Sequence, residues 1–337
     1  MRGLPLLIPI LLMAFVSVGL GRVKTVVVVG FFGILFILGY KIGFQRFGNP
    51  KTRIEVREQP FLYALLLSFL IILFQIVFIT RSVPLLNPSV RTHLNPKLTM
   101  LTYLLGLPSS TYLTIKGKKL GYLYIPLVSL YAYRTPVLVS AIAITLAYLE
   151  GKKVRGAILA GVVGAFAIIG LSVLRGGMDI LIRIEGTTSV LDVIIKQASL
   201  AGFYKGHLQW AGVTSYIVGG IGPRGMIARY LGIYHVTITA TLVGGMYLDF
   251  GLFAGIEMLL LGLYYGITEK LISPISRALY YVTLAYGLVG VETGILDLPT
   301  YLMFLITIIL AWREFNGNVR EAIRRIWARI YNIISYR

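Results

Sequence analysis

Cysteine is absent from the 337 residues, which excludes a disulfide framework, a thiolate nucleophile, Cys-ligated zinc and an iron–sulfur cluster. Histidine is scarce: His93, His207 and His235 are the full set. None is spaced from another as in HExxH, so neither a resident metal nor a cofactor is expected. Acid is scarce as well, with 13 Asp and Glu against 32 Lys and Arg and a formal net charge of +19. Charged residues of both signs make up 13% of the chain, about half the roughly 25% of a soluble domain. What fills the chain instead is apolar, 57% of it. A soluble nucleic-acid binder shares the basicity but not runs such as Phe61 to Thr80, whose one large polar side chain is Gln75; no nucleic-acid partner is expected. Twenty residues at about 1.5 Å each cross the roughly 30 Å hydrocarbon core of a bilayer. Several such runs recur, so the expected fold is an all-α polytopic protein of the cell membrane, with the lipid bilayer as its solvent.

The segments 4–20, 23–40, 61–80, 98–115, 156–174, 246–266, 278–291 and 298–312 read as spans. The stretch 120–149 is too long for one ordinary span and is broken by Pro126 and by Arg134-Thr135-Pro136. Basic triplets flank it, Lys116, Lys118 and Lys119 before and Lys152, Lys153 and Arg155 after. It therefore reads as two short helices with Arg134 near their turn, making about ten transmembrane or partly re-entrant helices. The first segment reads as an uncleaved helix, since it has no A-x-A-like cleavage site and a second span follows at once. Residues 1–312 form a single transmembrane domain on this reading. The tail, 313–337, places Arg320, Arg324, Arg325 and Arg329 beside Ile323, Ile326, Trp327 and Ile330, the pattern of a basic amphipathic helix on the anionic cytoplasmic leaflet.

With both termini cytoplasmic, 20 Lys and Arg fall inside and 12 outside, the bias expected of short loops. The large segment 175–237 then lies outside the cell with six bases against three acids. Arg81, Arg91, His93, Lys97 and Arg134 share that side. Arginine's planar, permanently charged fork matches phosphate oxygens, and such contacts strengthen where water is scarce. The anionic partner expected is a lipid-linked phosphate or diphosphate. Arg134, between two short apolar helices and next to a proline, is expected to face a cavity. Arg175-Gly176-Gly177 opens the outer segment, and Gly219-Gly220-Ile221-Gly222-Pro223-Arg224-Gly225 lies in its second half. The latter contains GxGxxG, but without a βαβ unit around it the dinucleotide reading fails. A turn or an anion-binding nest remains. Glu257, inside an apolar span, is either a functional acid or one paired to a neighbouring helix.

Three motifs, in order, carry a resemblance: VPLLNPSVR (Val83 to Arg91), LRGGMDILIR (Leu174 to Arg183) and TLVGGMYLDFGLFAG (Thr241 to Gly255), with YRTPVL (Tyr133 to Leu138) between the first two. Together they resemble the oligosaccharide repeat unit polymerases, the Wzy-type O-antigen polymerases, in an archaeal-like version. The resemblance implies a GT-C-like glycosyltransferase related to O-antigen ligases. Such an enzyme takes polyprenyl-(di)phosphate-linked oligosaccharides as donor and acceptor on the outer face, without metal. Polysaccharide-export or chain-length proteins would be its partners. A phosphate leaving group needs its developing charge stabilised, and arginines can do this. Arg134, Arg175 and Arg183 are assigned to that task, with Arg91 and Arg224 next. In the related ligases the proposed base is a His close before the final Gly-Leu span. His235 stands sixteen residues before Gly251, with Thr239 and Thr241 in the nearer positions. His207 is the alternative, and Asp192 and Asp249 are acid candidates, although Asp249 also suits a helix cap. Lys205 and Trp210 complete the expected phosphate- and sugar-binding set. A ligase, or a transporter or flippase of the same lipid-linked sugar, is the alternative reading. The halves lack the self-similarity of a transporter. An oligosaccharyltransferase is disfavoured because the chain lacks a Trp-rich WWD sequence and has three Trp in all.

Overall fold

The computed structural model describes residues 2–174 and 180–316. Among these, every regular element is helical. In chain order they are α1 Leu7–Val18, α2 Val23–Arg46, α3 Gln59–Phe74, α4 Pro96–Ile115, α5 Tyr124–Ser129, α6 Arg134–Glu150, α7 Val154–Leu174, α8 Ile180–Gln197, α9 His207–Ile217, α10 Pro223–Tyr230, α11 Leu242–Phe250, α12 Ala254–Thr268, α13 Pro274–Thr293 and α14 Leu298–Asn316. Five stretches are long and apolar enough to cross a bilayer: Val23–Arg46, Gln59–Thr80, Val154–Leu171, Leu242–Thr268 and Leu298–Asn316. Leu66, Leu70, Phe74, Phe78, Ile158 and Phe166 are among the large apolar side chains left exposed on them. In water such a belt would aggregate; against lipid tails it is solvated. The polytopic helical fold expected from composition is what forms.

Helix α13 is the hub. Sixteen of its 20 residues are buried, and its buried polar groups are met inside the bundle, as where the Tyr264 hydroxyl pairs with that of Thr283. One core packs on its side facing α3, α4, α6 and α7. A second gathers α1, α2, α11 and α12. Lipid tails are as apolar as leucine, so close backbone packing must hold helices together inside a membrane. The pair α2–α12 does this with reciprocal GxxxG motifs. A Cβ on Gly39 or Gly43 would strike the carbonyl oxygen of Leu259 or Leu263. One on Gly262 or Gly266 would strike that of Phe36 or Tyr40.

The segment 246–266 lies within one candidate span, Leu242–Thr268, in which α11 and α12 meet at a short 3-10 turn, Gly251–Phe253. One element differs from the sequence expectation: the segment 175–237 is not an open loop over its described length, for it carries α8, α9 and α10. By contrast, the stretch 120–149 is the two short helices expected, α5 and α6. Between them Ala132 turns the chain at φ 58, and Arg134 opens α6. The tail residues 317–337 lie outside the described residues, and α14 runs on to Asn316.

The polar residue within the third span explains how that turn is held. Gln75 is fully buried where α3 passes into a π-helical turn, Gln75–Thr80. Its amide nitrogen donates to the Tyr131 hydroxyl at 2.6 Å and its oxygen accepts the Asn95 backbone N–H at 2.9 Å. In hydrocarbon an unpaired amide costs several kcal/mol, so Gln75 holds both the α5–α6 turn and the start of α4 against α3. The Leu85 N–H also donates to the Leu130 carbonyl at 3.1 Å, fastening the VPLL segment to the same turn.

Candidate functional site

Those braced segments form one wall of a cavity of about 1160 Å³. The starts of α4 and α6 lie on one side, α8 on another, and α9, α10 and the α13–α14 connection close it. Four arginines from four separate elements line it: Arg91, Arg134, Arg183 and Arg224. Convergence from sequence positions this far apart is a property of the fold.

Each arginine is held differently. Arg224, in the first turn of α10, forms a bidentate fork on Asp297 at 2.9 and 2.8 Å. The Asp297 charge raises the guanidinium's pKa above its ordinary value against the opposing effect of burial. Arg183 on α8 pairs with Glu292 at the end of α13. Arg91 lies over the Tyr133 ring, 6.0 Å from its centroid. Among the described residues, the buried Arg134 Nε has no hydrogen-bond partner, and the charged neighbours of Arg134 are Arg183 and Glu292. A buried guanidinium N–H left unpaired is costly, and an ordered water, an ion or a ligand is what meets such a donor.

The glycine-rich segment contributes backbone. Gly219 and Gly220 sit at φ 89 and 109, a region open to glycine and strained for other residues. Gly222 then precedes Pro223 at the first turn of α10, the position where a missing N–H costs nothing. Gly220, Gly222 and Gly225 line the cavity with Arg224. Tyr133, Tyr216 and Tyr286, with Thr237 and Thr239, add rings and hydroxyls. Burial, together with the Asp297 charge, pushes the Tyr216 phenol well above its ordinary pKa.

Other sequence-selected residues lie elsewhere. Asp249 accepts the backbone N–H groups of Gly206, Leu208 and Gln209 at 3.1, 2.9 and 2.9 Å, so it caps α9 from α11. Asp192 accepts the Arg22 N–H at 3.1 Å and the Thr25 hydroxyl, fastening α8 to the start of α2. Glu257 receives the Gln209 side-chain amide, a pairing to a loop helix instead of a neighbouring tyrosine or Arg134. His207, Lys205, Trp210 and His235 are all exposed, and none of them lines the cavity. Arg175 is outside the described residues.

Sequence reasoning passed over Asp297 and Glu292. Their signal was scarcity: two of the chain's 13 acids stand within six residues, Glu292 in the last turn of α13 and Asp297 just before α14.

Helices of this length and apolarity, packed around an arginine-lined chamber, define a multi-pass membrane protein. A family model described as "Putative O-antigen polymerase" matches residues 1–304, and the chain belongs to that family, as its motifs implied. It is 31% identical to an uncharacterized protein of Methanocaldococcus jannaschii, over 83% of this chain and 84% of the relative. No solved structure matches the chain.

Proposed function

We propose that the protein is a membrane glycosyltransferase that polymerises polyprenyl-(di)phosphate-linked oligosaccharide repeat units, and that the arginine cavity is its active site. The observation that carries this reading is Arg134, a cavity-lining guanidinium whose buried Nε has no partner among the described residues, beside Arg183 and in the same cavity as Arg91. A hydroxyl of the acceptor sugar attacks the donor's anomeric carbon. The new C–O bond forms as the bond to the phosphate oxygen breaks, and the electron pair leaves on the polyprenyl (di)phosphate. Arg134, Arg183 and Arg91 stabilise that departing charge, which a preorganised, water-poor site does most effectively. A chamber of this volume exceeds what one phosphate needs and is of the size that holds sugars as well. The distribution of Lys and Arg along the chain supports a cavity on the extracytoplasmic face, and the family's GT-C-like character follows from the motif resemblance.

The test is a transfer assay with purified protein in proteoliposomes, supplied with a polyprenyl-diphosphate oligosaccharide. A ladder of glycan lengths that persists in chelator is the expected product. A single coupled product would assign ligase activity. No product would remove the enzyme reading, and loss on chelation would remove the metal-independent mechanism.

A further inference from the structure

The cavity's charged groups form two sets. In the first, Arg134 is under the influence of Arg183 and Glu292, and Arg91 lies over the adjoining Tyr133. Among the described residues, two guanidinium groups here share one carboxylate, Glu292. In the second, Arg224 interacts with Asp297, Tyr216 and Tyr301. Asp297 also acts on Tyr286. The two sets adjoin through Tyr133, which acts on Tyr216. Among the described residues the first has surplus positive charge and an unpaired N–H; the second is neutral, with Tyr216 and Tyr286 lining the cavity beside it.

These ends suit different parts of the reaction. A (di)phosphate is drawn to the first. A neutral sugar is better matched by the second, where aromatic rings meet the C–H face of a pyranose and a carboxylate accepts from its hydroxyls. Each Asp297 oxygen accepts one N–H from Arg224, and each retains a further lone pair. Asp297 itself lines the cavity.

We infer that the Arg224–Asp297 fork and its tyrosines form the acceptor-sugar subsite, and that Asp297 is the catalytic base that takes the proton of the attacking hydroxyl. The inference rests on the proposed transferase reading. As the hydroxyl oxygen bonds to the anomeric carbon, its proton moves to an Asp297 oxygen, and the C–O electron pair leaves on the (di)phosphate at the other end. Arg224 keeps its charge throughout and holds the carboxylate in line. The protonated Asp297 then loses its proton to water. Neither His235 nor His207 is needed.

The experiment compares wild type, Asp297→Asn and Arg224→Ala in the proteoliposome transfer assay, varying donor and acceptor separately. Asp297→Asn is expected to lower kcat by about 100-fold or more, the usual contribution of a general base, with donor KM within about twofold. Arg224→Ala keeps the carboxylate but removes the fork that holds it in the acceptor subsite, so its acceptor KM should rise by about tenfold or more while its donor KM stays within about twofold. That split is not produced by loss of a purely structural clasp, which would weaken donor and acceptor alike, and it is readable even if Asp297→Asn fails to fold. Near wild-type turnover in Asp297→Asn, or an unchanged acceptor KM in Arg224→Ala, overturns the inference. Absence of product from wild type itself is a different result, which overturns the transferase reading.

Discussion

The side-chain amide of Gln209 reaches both carboxylate oxygens of Glu257, at 2.8 Å each. One residue belongs to α9, whose Ser215 and Tyr216 line the cavity, the other to α12 within a candidate span. The contact anchors that wall of the cavity to the span.

Removing the donor leaves the Glu257 carboxylate part-buried and unsolvated. Gln209→Ala is expected to destabilise the protein by about 2 kcal/mol, measured as a lower thermal midpoint in detergent. Adding Glu257→Leu to that variant should recover part of the loss, because the orphaned charge goes with it. Two equally destabilised proteins would show that the pair does not anchor α9.

Asp249 works on the same helix. It accepts three backbone N–H groups around the start of α9, so Asp249→Ala should cost about 2 kcal/mol and Asp249→Asn noticeably less, since the amide oxygen still accepts. Hydrogen exchange localised to 206–217 is the measurement; unchanged protection in Asp249→Ala would refute the capping role.

Arg134 should behave in the opposite way. Its Nε has no partner to lose, so Arg134→Ala is expected to keep or raise the thermal midpoint while abolishing transfer, the trade-off of a group retained for function. Arg134→Lys, which loses the planar fork, should reduce turnover by tenfold or more. Wild-type turnover in the lysine variant would remove Arg134 from the phosphate.

The helix pair α2–α12 tests the membrane packing. Gly262→Leu would drive a side chain into the Phe36 carbonyl, and the expected outcome is loss of monodisperse protein on size-exclusion chromatography. Leu260→Ala, at an exposed position of the same helix, should be tolerated. Equal behaviour of the two would argue against the close crossing.

Much of the fold was legible because the bilayer writes it into composition. Apolar runs of about twenty residues mark spans, and Pro126 with Arg134 and Pro136 marked the broken helix pair correctly. The site was legible only where a residue is locally anomalous, as Arg134 is. Asp297 pairs with Arg224 across 73 positions and Glu292 with Arg183 across 109, and no local pattern records such pairings. Asp249 and Asp192 looked like acids available for chemistry, yet both accept from backbone N–H groups, a role that depends on helix ends meeting in three dimensions. The GxxxG pair lay in plain view within two apolar runs, where it looked like ordinary span sequence until the helices were seen to cross.

Glu292 and Asp297 stand at the two ends of the connection between α13 and α14, one gripping α8 through Arg183 and the other α10 through Arg224. Mechanically this is a two-armed yoke. Neither arm can swing without loading the strut they share, and that strut is continuous with the most deeply embedded helix of the molecule. A load on either arm is therefore carried into α13, with 16 of its 20 residues buried, and through it into both cores of the bundle.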